Sequence, residues 1–551
     1  MQYIQTFVNL FSSIFITLRY WNKPDPFQSF ASIKSGFRLG NNFGFAKKTL
    51  LLVPIRVSPM SNLFEGLIGY FFKLKGWKVK ALMCDQSVIY CDNISYVDNN
   101  KRVAICALCK KEQERFCKTF DFEFISIKDN INKQDFNEIS NYIENYEISD
   151  SSNQLLYENY NLTDIVNSAV TRYTLRSEVN FESDLGVIKG FFKTAIVTIE
   201  AMKNSFDNTE ISRAIMSHGT YSQWGSALSY LQNNDITTYV WARGYVGQGS
   251  LIFGLNRSYL EDTIRESKEV YQSINYSKDE LFESQIYFNE KRMRNSTIEY
   301  VNYYSILSQE SNNSAPFFDD LRSRFNNVYG MFTNIPWDGQ IYNKSEGFPN
   351  TYLYLNSVIE WFVINCNCAL VIRAHPAEAD LEEGRGSEKI YDVLNRNWPN
   401  GLPSNIFFLE PHNSITSYLL SDNIDAAIVY GSTIGLEIAI SGVPVIQAGN
   451  FYTSSKEILT EVLNKQELHE KLDFVKNGGK LNTKIMVDNA LKFGCYWIFK
   501  KHITDTSVNL ERLIFKSYNF SSILEFENDS TLNFLYNSMI QKQPIINPPN
   551  V

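Results

Sequence analysis

Apolar and polar positions along the chain fall into two long blocks of the same kind. TLLLVPI, from Thr49, is an apolar run of strand length; SPMSNLFEGLIGYFFKLKG has helical periodicity and closes at Gly76; WKVKALMCD returns to strand composition. That order predicts parallel strands joined by a right-handed crossover. Residues 120–215 read as mainly helical, and AIMSHGTYSQWGSALSYLQNNDITTYVW repeats strand, Gly-containing loop, helix and strand over 214–241. A polar passage of helical character over 256–320 follows. From about Asn326 the alternation resumes through NVYGMFTNI, SVIEWFVIN, ALVIRAH, KIYDVLN, NIFFLEP, AAIVY, IGLEIAIS and VPVIQAG. The pattern predicts an α/β chain with two Rossmann-like doubly wound domains facing a cleft, over 49–255 and 321–454. Helical segments are expected at 1–48 and 455–551, the latter packing back on the body.

Composition narrows the classes. The 551 residues carry 52 Lys+Arg against 60 Asp+Glu, a net charge of −8, with 44% hydrophobic and 20% charged positions. This is globular composition, and its acidic balance lacks the basic footprint of a nucleic-acid coat. No clean apolar stretch of about 20 residues predicts a spanning helix. MQYIQTFVNLFSSIFITLRY is apolar but interrupted by Gln, Asn and Ser, and has neither a basic n-region nor a cleavage site. It reads as an amphipathic helix, packed on the protein or lying on a membrane surface. A reducing cytoplasm, with peripheral membrane contact at its inner face as the variant, is the expected location.

Candidate chemistry concentrates at two predicted strand ends. Arg373-Ala374-His375-Pro376-Ala377-Glu378 follows ALVIRAH, and Gly431-Ser432-Thr433-Ile434-Gly435-Leu436-Glu437 follows AAIVY. Loops at the carboxyl ends of strands form the ligand crevice of doubly wound sheets. The second segment brings two hydroxyls and the start of a helix, a seat for phosphate. Glu437 is placed to accept from a ribose or sugar diol. Arg373 and His375 can donate to the same phosphates, and Pro376 holds His375 on the strand tip.

RAHPAE followed by IVYGSTIGLEIAISGVPVI resembles the donor-binding half of capsule polysaccharide biosynthesis glycosyltransferases, including β-Kdo transferases. It is similar, more distantly, to the polymerases that transfer glycerol phosphate from CDP-glycerol. The resemblance covers residues 320–450 well and 49–245 loosely. It implies the GT-B architecture and a nucleotide-linked donor, CMP-Kdo or another nucleotide sugar, held by Arg373, His375, Ser432, Thr433 and Glu437, with Glu378 and Gly435 in the same loops. Ser217-His218-Gly219-Thr220 is similar to the WHGT-type element of the glycerophosphate polymerases, where the histidine faces the cleft as a candidate base. The lysine of that pattern is absent here. With an ordinary pKa near 6.5, His218 can take a proton from an acceptor hydroxyl, or instead bind a phosphate.

A sugar transferase needs a base or a nucleophile, and Asp338 in NIPWDG and Asp184 in NFESDLG are the carboxylate candidates. Arg243, in WARGYVGQGSLIFG, is a candidate contact for an anionic donor or acceptor. Five of eight cysteines fall within 34 residues. Cys84, Cys91, Cys106 and Cys109 suit a structural zinc, or are buried thiols beside a helix. No Asp-x-Asp motif is in a placed loop, so catalysis is expected to need no divalent cation. The leading reading is a glycosyltransferase acting on a surface-polysaccharide acceptor, a glycan or lipid-linked glycan. A nucleotide-sugar 2-epimerase and a non-catalytic capsule-assembly scaffold are the alternatives.

Overall fold

The computed structural model describes residues 24–35, 48–55, 59–91, 94–149, 154–206, 210–244, 246–247, 249–292, 315–335, 344–378, 388–511 and 514–547. The chain forms two compact units. The first takes residues up to 174, 179–262 and 501–547; the second takes 175–178 and 263–500. No helix among the described residues is long and apolar enough to cross a membrane.

The first unit is built on β1 (Thr49–Ile55), β2 (Lys78–Met83), β3 (Glu123–Ser126), β4 (Ile211–Ser217), β5 (Thr238–Arg243) and β6 (Ser250–Leu255). β1 pairs in parallel with β2 and β4, and β3 and β5 extend the sheet in parallel outside them. The parallel order is thus β3-β2-β1-β4-β5, with β6 antiparallel at the β5 side. TLLLVPI is apolar throughout because β1 is central and every residue in it is buried. Helices α1 (Pro26–Ser35), α2 (Pro59–Leu74) and α3 (Arg102–Phe120) share one core through Phe27, Phe30, Phe71 and Phe120. The other core takes residues of α4 (Leu185–Ser205) and α5 (Ser226–Asn233). Gly66 lets α2 approach α3: a Cβ there would stand 2.3 Å from the Phe120 ring.

The second unit holds β7 (Asn327–Phe332), β8 (Cys368–Arg373), β9 (Ile406–Leu409), β10 (Ala426–Val429), β11 (Val445–Gln447) and β12 (Thr460–Glu461). All its pairings are parallel, in the order β9-β8-β7-β10-β11-β12. This is the doubly wound dinucleotide-fold order, whose direction reverses between β7 and β10. Its helices include α6 (Lys278–Arg292), α7 (Thr351–Ile364), α8 (Thr433–Ile440) and α9 (Lys484–Tyr496).

Three expectations need adjusting. The 256–320 passage is no separate linker: α6 belongs to the second unit, packed on α9 at Gly494, where a Cβ would meet Phe288 at 2.7 Å. The tail is split. Residues 455–500 stay with the second unit, while 501–547 return to the first. There the short strand Ile503–Thr504 pairs antiparallel with β6 and covers its edge. Tyr239 and Arg213 donate to the carbonyls of Ser538 and Met539, at 3.2 and 2.8 Å, fastening the last helix. Among the described residues, 120–210 hold helices Lys133–Glu144, Thr163–Thr174 and Leu185–Ser205 beside β3 and a small hairpin of two two-residue strands, and β4 already begins at Ile211. The amphipathic reading of 1–20 falls outside the described residues.

One buried acid makes the first unit sensitive to pH. Glu65 on α2 is 1% exposed, and its Oε1 accepts from the Trp241 indole at 3.0 Å. Burial pushes its carboxyl up to about 8. The native state therefore favours the protonated form. Its contribution is complete below the ordinary carboxylate range near 4.5 and declines as pH rises toward about 8, a shift on the order of 5 kcal/mol. Glu65→Gln keeps the acceptor for Trp241 and removes the titration. Its melting temperature is expected to match wild type at pH 5 and to exceed it at pH 8; equal melting curves at both would show that Glu65 does not titrate in this window.

Candidate functional site

The carboxyl edge of the second sheet is levelled by its register. Phe332, the last residue of β7, pairs with Arg373 at the end of β8 and with Val429 at the end of β10. The His375 and Ser432 loops therefore leave the sheet on either side of the β7 tip. Two residues the sequence reading passed over join them. Thr333 donates its N–H and its hydroxyl to the Arg373 carbonyl, both at 3.2 Å, and the Asn334 amide donates to the Gly431 carbonyl. The signal available in the sequence was their position, polar residues directly after the central strand.

Ser432 is the N-cap of α8 with extended backbone, and its side chain makes no capping bond. Ser432 and Thr433 keep partial exposure, beside helix N–H groups that lack intrahelical acceptors. Gly435 is buried against β10 and the following segment: a Cβ would meet Val429 at 3.3 Å and Leu459 at 3.4 Å. His375 is also partly exposed. Burial and then the Arg373 cation push it down to about 4, so at neutral pH it offers a neutral imidazole, not a charge.

Three members of these loops are otherwise engaged. Arg373 is 1% exposed and its guanidinium donates to the carbonyls of Leu409, Glu410 and Pro411. It fixes the loop after β9 and stands behind the site as a buried charge. Glu437 is 4% exposed; its two oxygens accept from Lys291 and from the Tyr418 hydroxyl, each at 2.6 Å. The carboxylate expected to read a diol instead ties α6 to α8. Glu378 is buried, accepting the Ile390 N–H at 3.3 Å, and burial pushes its carboxyl up to about 7.

In the first unit the order reverses between β1 and β4, and His218 follows the last residue of β4. Its N–H donates to the Trp241 carbonyl at 2.8 Å, extending the β4–β5 ladder by one residue. The ring nitrogen Nδ1 meets the Ser217 hydroxyl. Gly219 needs its glycine: φ is +67°, and a Cβ would stand 2.9 Å from both Leu228 and Val240. Arg243 ends β5 on the same edge, half-buried. Asp184 does not face an opening. It is 4% exposed, and its carboxylate staples its own loop by accepting from the Asn180 N–H at 2.9 Å. Asp338 lies outside the described residues.

The four cysteines do line one small cavity of about 20 Å³, together with Gln113 and Lys110. They are not assembled as ligands: among the described residues no three His, Cys, Asp or Glu side chains are grouped to hold an ion. The thiols meet polar neighbours instead, Cys84 with Ser87 at 3.4 Å, Cys91 with Gln223 at 3.7 Å and Cys109 with Gln113 at 3.3 Å.

The strand orders show two Rossmann-like α/β units in one chain, as the alternation in the sequence predicts. No family model and no curated protein matches the chain. Among solved structures, the chain is similar to two KpsC proteins of Thermosulfurimonas dismutans, described as a β-Kdo 2,4 transferase and a β-Kdo 2,7 transferase. The first is 12% identical at a TM-score of 0.32, covering 51% of this chain and 79% of that one. The second is 14% identical, also at 0.32, covering 57% and 84%. A putative UDP-N-acetylglucosamine 2-epimerase from Listeria monocytogenes is 9% identical at 0.27, covering 92% and 100%. Similarity this low leaves the function to the chain's own residues.

The Lys291–Glu437 pair is expected to behave as a buried ion pair. Lys291→Met leaves an uncompensated carboxylate and should destabilise the second unit by about 3–5 kcal/mol, and Lys291→Met with Glu437→Gln by clearly less. Denaturant unfolding of the two variants checks this; equal losses would mean that the pair is not coupled.

Proposed function

We propose that the protein is a glycosyltransferase that moves a sugar from a nucleotide-activated donor to a surface-polysaccharide acceptor. The observation that carries this reading is the levelled edge of the second sheet, where the His-Pro and Gly-Ser-Thr loops leave on either side of the β7 tip. In this reading the donor phosphate sits on the N–H groups at the start of α8, with the Ser432 and Thr433 hydroxyls and the neutral His375 as further hydrogen-bond partners. Preorganised donors of this kind stabilise the charge that develops on a leaving phosphate. Arg373 contributes potential from behind, at a place where it meets no solvent. CMP-Kdo and other nucleotide sugars are the donor candidates. The first unit would present a glycan or lipid-linked glycan, with His218 and Arg243 on that side.

His375→Ala and Ser432→Ala are expected to weaken nucleotide binding by about tenfold or more, since each loses a hydrogen bond to a charged group, while the melting temperature stays close to wild type. Arg373→Met should instead lower the melting temperature, because it releases three carbonyls. Isothermal titration with CMP, CDP, UDP and GDP, alongside thermal melts, separates these roles. A melting temperature that collapses in His375→Ala would make that residue part of the core. Binding to none of the nucleotides would favour the scaffold reading. Product analysis with a nucleotide-sugar panel completes the test: sugar release with epimerisation in the absence of acceptor would replace transfer by 2-epimerase chemistry.

A further inference from the structure

The turn after β4 contains more ordering than a helix entry needs. His218 adopts φ +58° and Tyr221 φ +64°, in the left-handed region that only a few per cent of non-glycine residues adopt. From Tyr221 to Gly225 the chain forms a single π-helical turn leading into α5, a wide turn frequent at functional sites. These departures bring Trp224 under the ring of His218. The two rings are stacked, with centroids 5.3 Å apart and planes within 14°. The indole is itself fixed: it is 4% exposed, and its Nε1 donates to the Val53 carbonyl on β1 at 3.0 Å. The imidazole is thus held on one edge by the Ser217 hydroxyl, on one face by Trp224 and through its backbone by Trp241. Yet His218 keeps part of its surface open to solvent.

We propose that Trp224 is the positioning residue of His218, anchoring the imidazole to β1 so that it meets the acceptor in one orientation. A tryptophan serving only to fill the core would also satisfy its indole N–H, but it would not need a parallel stack on a half-exposed ring. Ser217 holds the Nδ1 edge of the ring, and Trp224 removes the remaining rotation about χ2. The proposal rests on the reading of His218 as the acceptor-side group of a transferase.

The test uses the full chain with its histidine rings ¹³C-labelled. Five histidines give few ring signals, and His218→Gln assigns the one of interest. In wild type its ring protons are expected upfield, in the shielding cone of the indole. Trp224→Phe, which keeps an aromatic face but loses the bond to Val53, should move that signal part of the way toward the position of an exposed histidine. Trp224→Leu should move it fully. With a nucleotide sugar that supports transfer, kcat should fall on the order of 10²-fold in Trp224→Leu and by less in Trp224→Phe, with donor KM unchanged. An unmoved ring signal in a folded Trp224→Leu would overturn the proposal, as would a loss confined to donor KM. If wild type transfers no sugar at all, the functional reading fails, and whether the His218 ring keeps its nuclear Overhauser contacts to Ser217 in Trp224→Leu still decides whether Trp224 holds His218: kept contacts overturn the proposal.

Discussion

Everything at the carboxyl edge of the second unit depends on one register. Phe332 lies level with Arg373 on one side and Val429 on the other, so three loops start from the same height. In a strand with period two, a slip of one residue would exchange the faces on which successive side chains lie. Arg373 would then lose the carbonyls after β9, and the Thr333 and Asn334 bonds to the flanking loops would be broken. The apolar runs of β7, β8 and β10 are buried on both faces and do not distinguish one register from the next, so the polar groups at their ends, Arg373, Thr333 and Asn334, are what the register must satisfy.

The same edge shows how buried charge divides the work. Arg373 and Glu437 look like ligands because they are charged and sit in ligand loops, but both are engaged inside the protein. Burying a charge is costly unless it is hydrogen-bonded, and both are: the two terminal guanidinium nitrogens to carbonyls, the carboxylate to Lys291 and Tyr418. The charge then acts indirectly. Burial, reinforced by Arg373, keeps His375 unprotonated, and what remains at the surface is a set of neutral donors, hydroxyls and helix N–H groups. Such a set can hold a phosphate without first breaking a salt bridge.

How much of this was legible in the sequence varied with the physics of each part. The central parallel strands announce themselves, since TLLLVPI, ALVIRAH and AAIVY must be apolar on both faces. β3 and β12 do not: they are short edge strands with partly exposed residues, and EFIS or TE carries no period to read. The strand at Ile503–Thr504 lies some 250 residues from its partner β6, and two residues hold no pattern. At the candidate site the loops could be found but not the directions of their side chains. Arg373 ends a strand buried at every position, which is the one local hint that it turns inward. The Lys291–Glu437 pair, separated by 146 positions, has none. Trp224 lies six residues after His218, a spacing that brings two rings together only through the left-handed residues and the π turn.

The two units meet the same structural demand in opposite ways. In each sheet the order reverses between the first and fourth parallel strands, and the two tips diverge there to open a crevice. In the second unit Asn334 bridges the gap from β7 to the Gly431 carbonyl, and neither tip needs a residue of positive φ. In the first unit both tips are left-handed: Ile55, a β-branched residue at φ +49°, and His218 at +58°. Each such residue costs on the order of 1–3 kcal/mol, and persists only where its surroundings over-determine it. The surroundings are visible. The Ile55 carbonyl accepts from Cys84 and Gln113 at 3.0 and 2.9 Å, while Trp224 bonds to β1 two residues before Ile55 and stacks on His218. Trp224 therefore links the two strained tips across the reversal, as Asn334 links the two relaxed ones. Each unit thus has one side chain that spans its reversal, Trp224 in the first and Asn334 in the second.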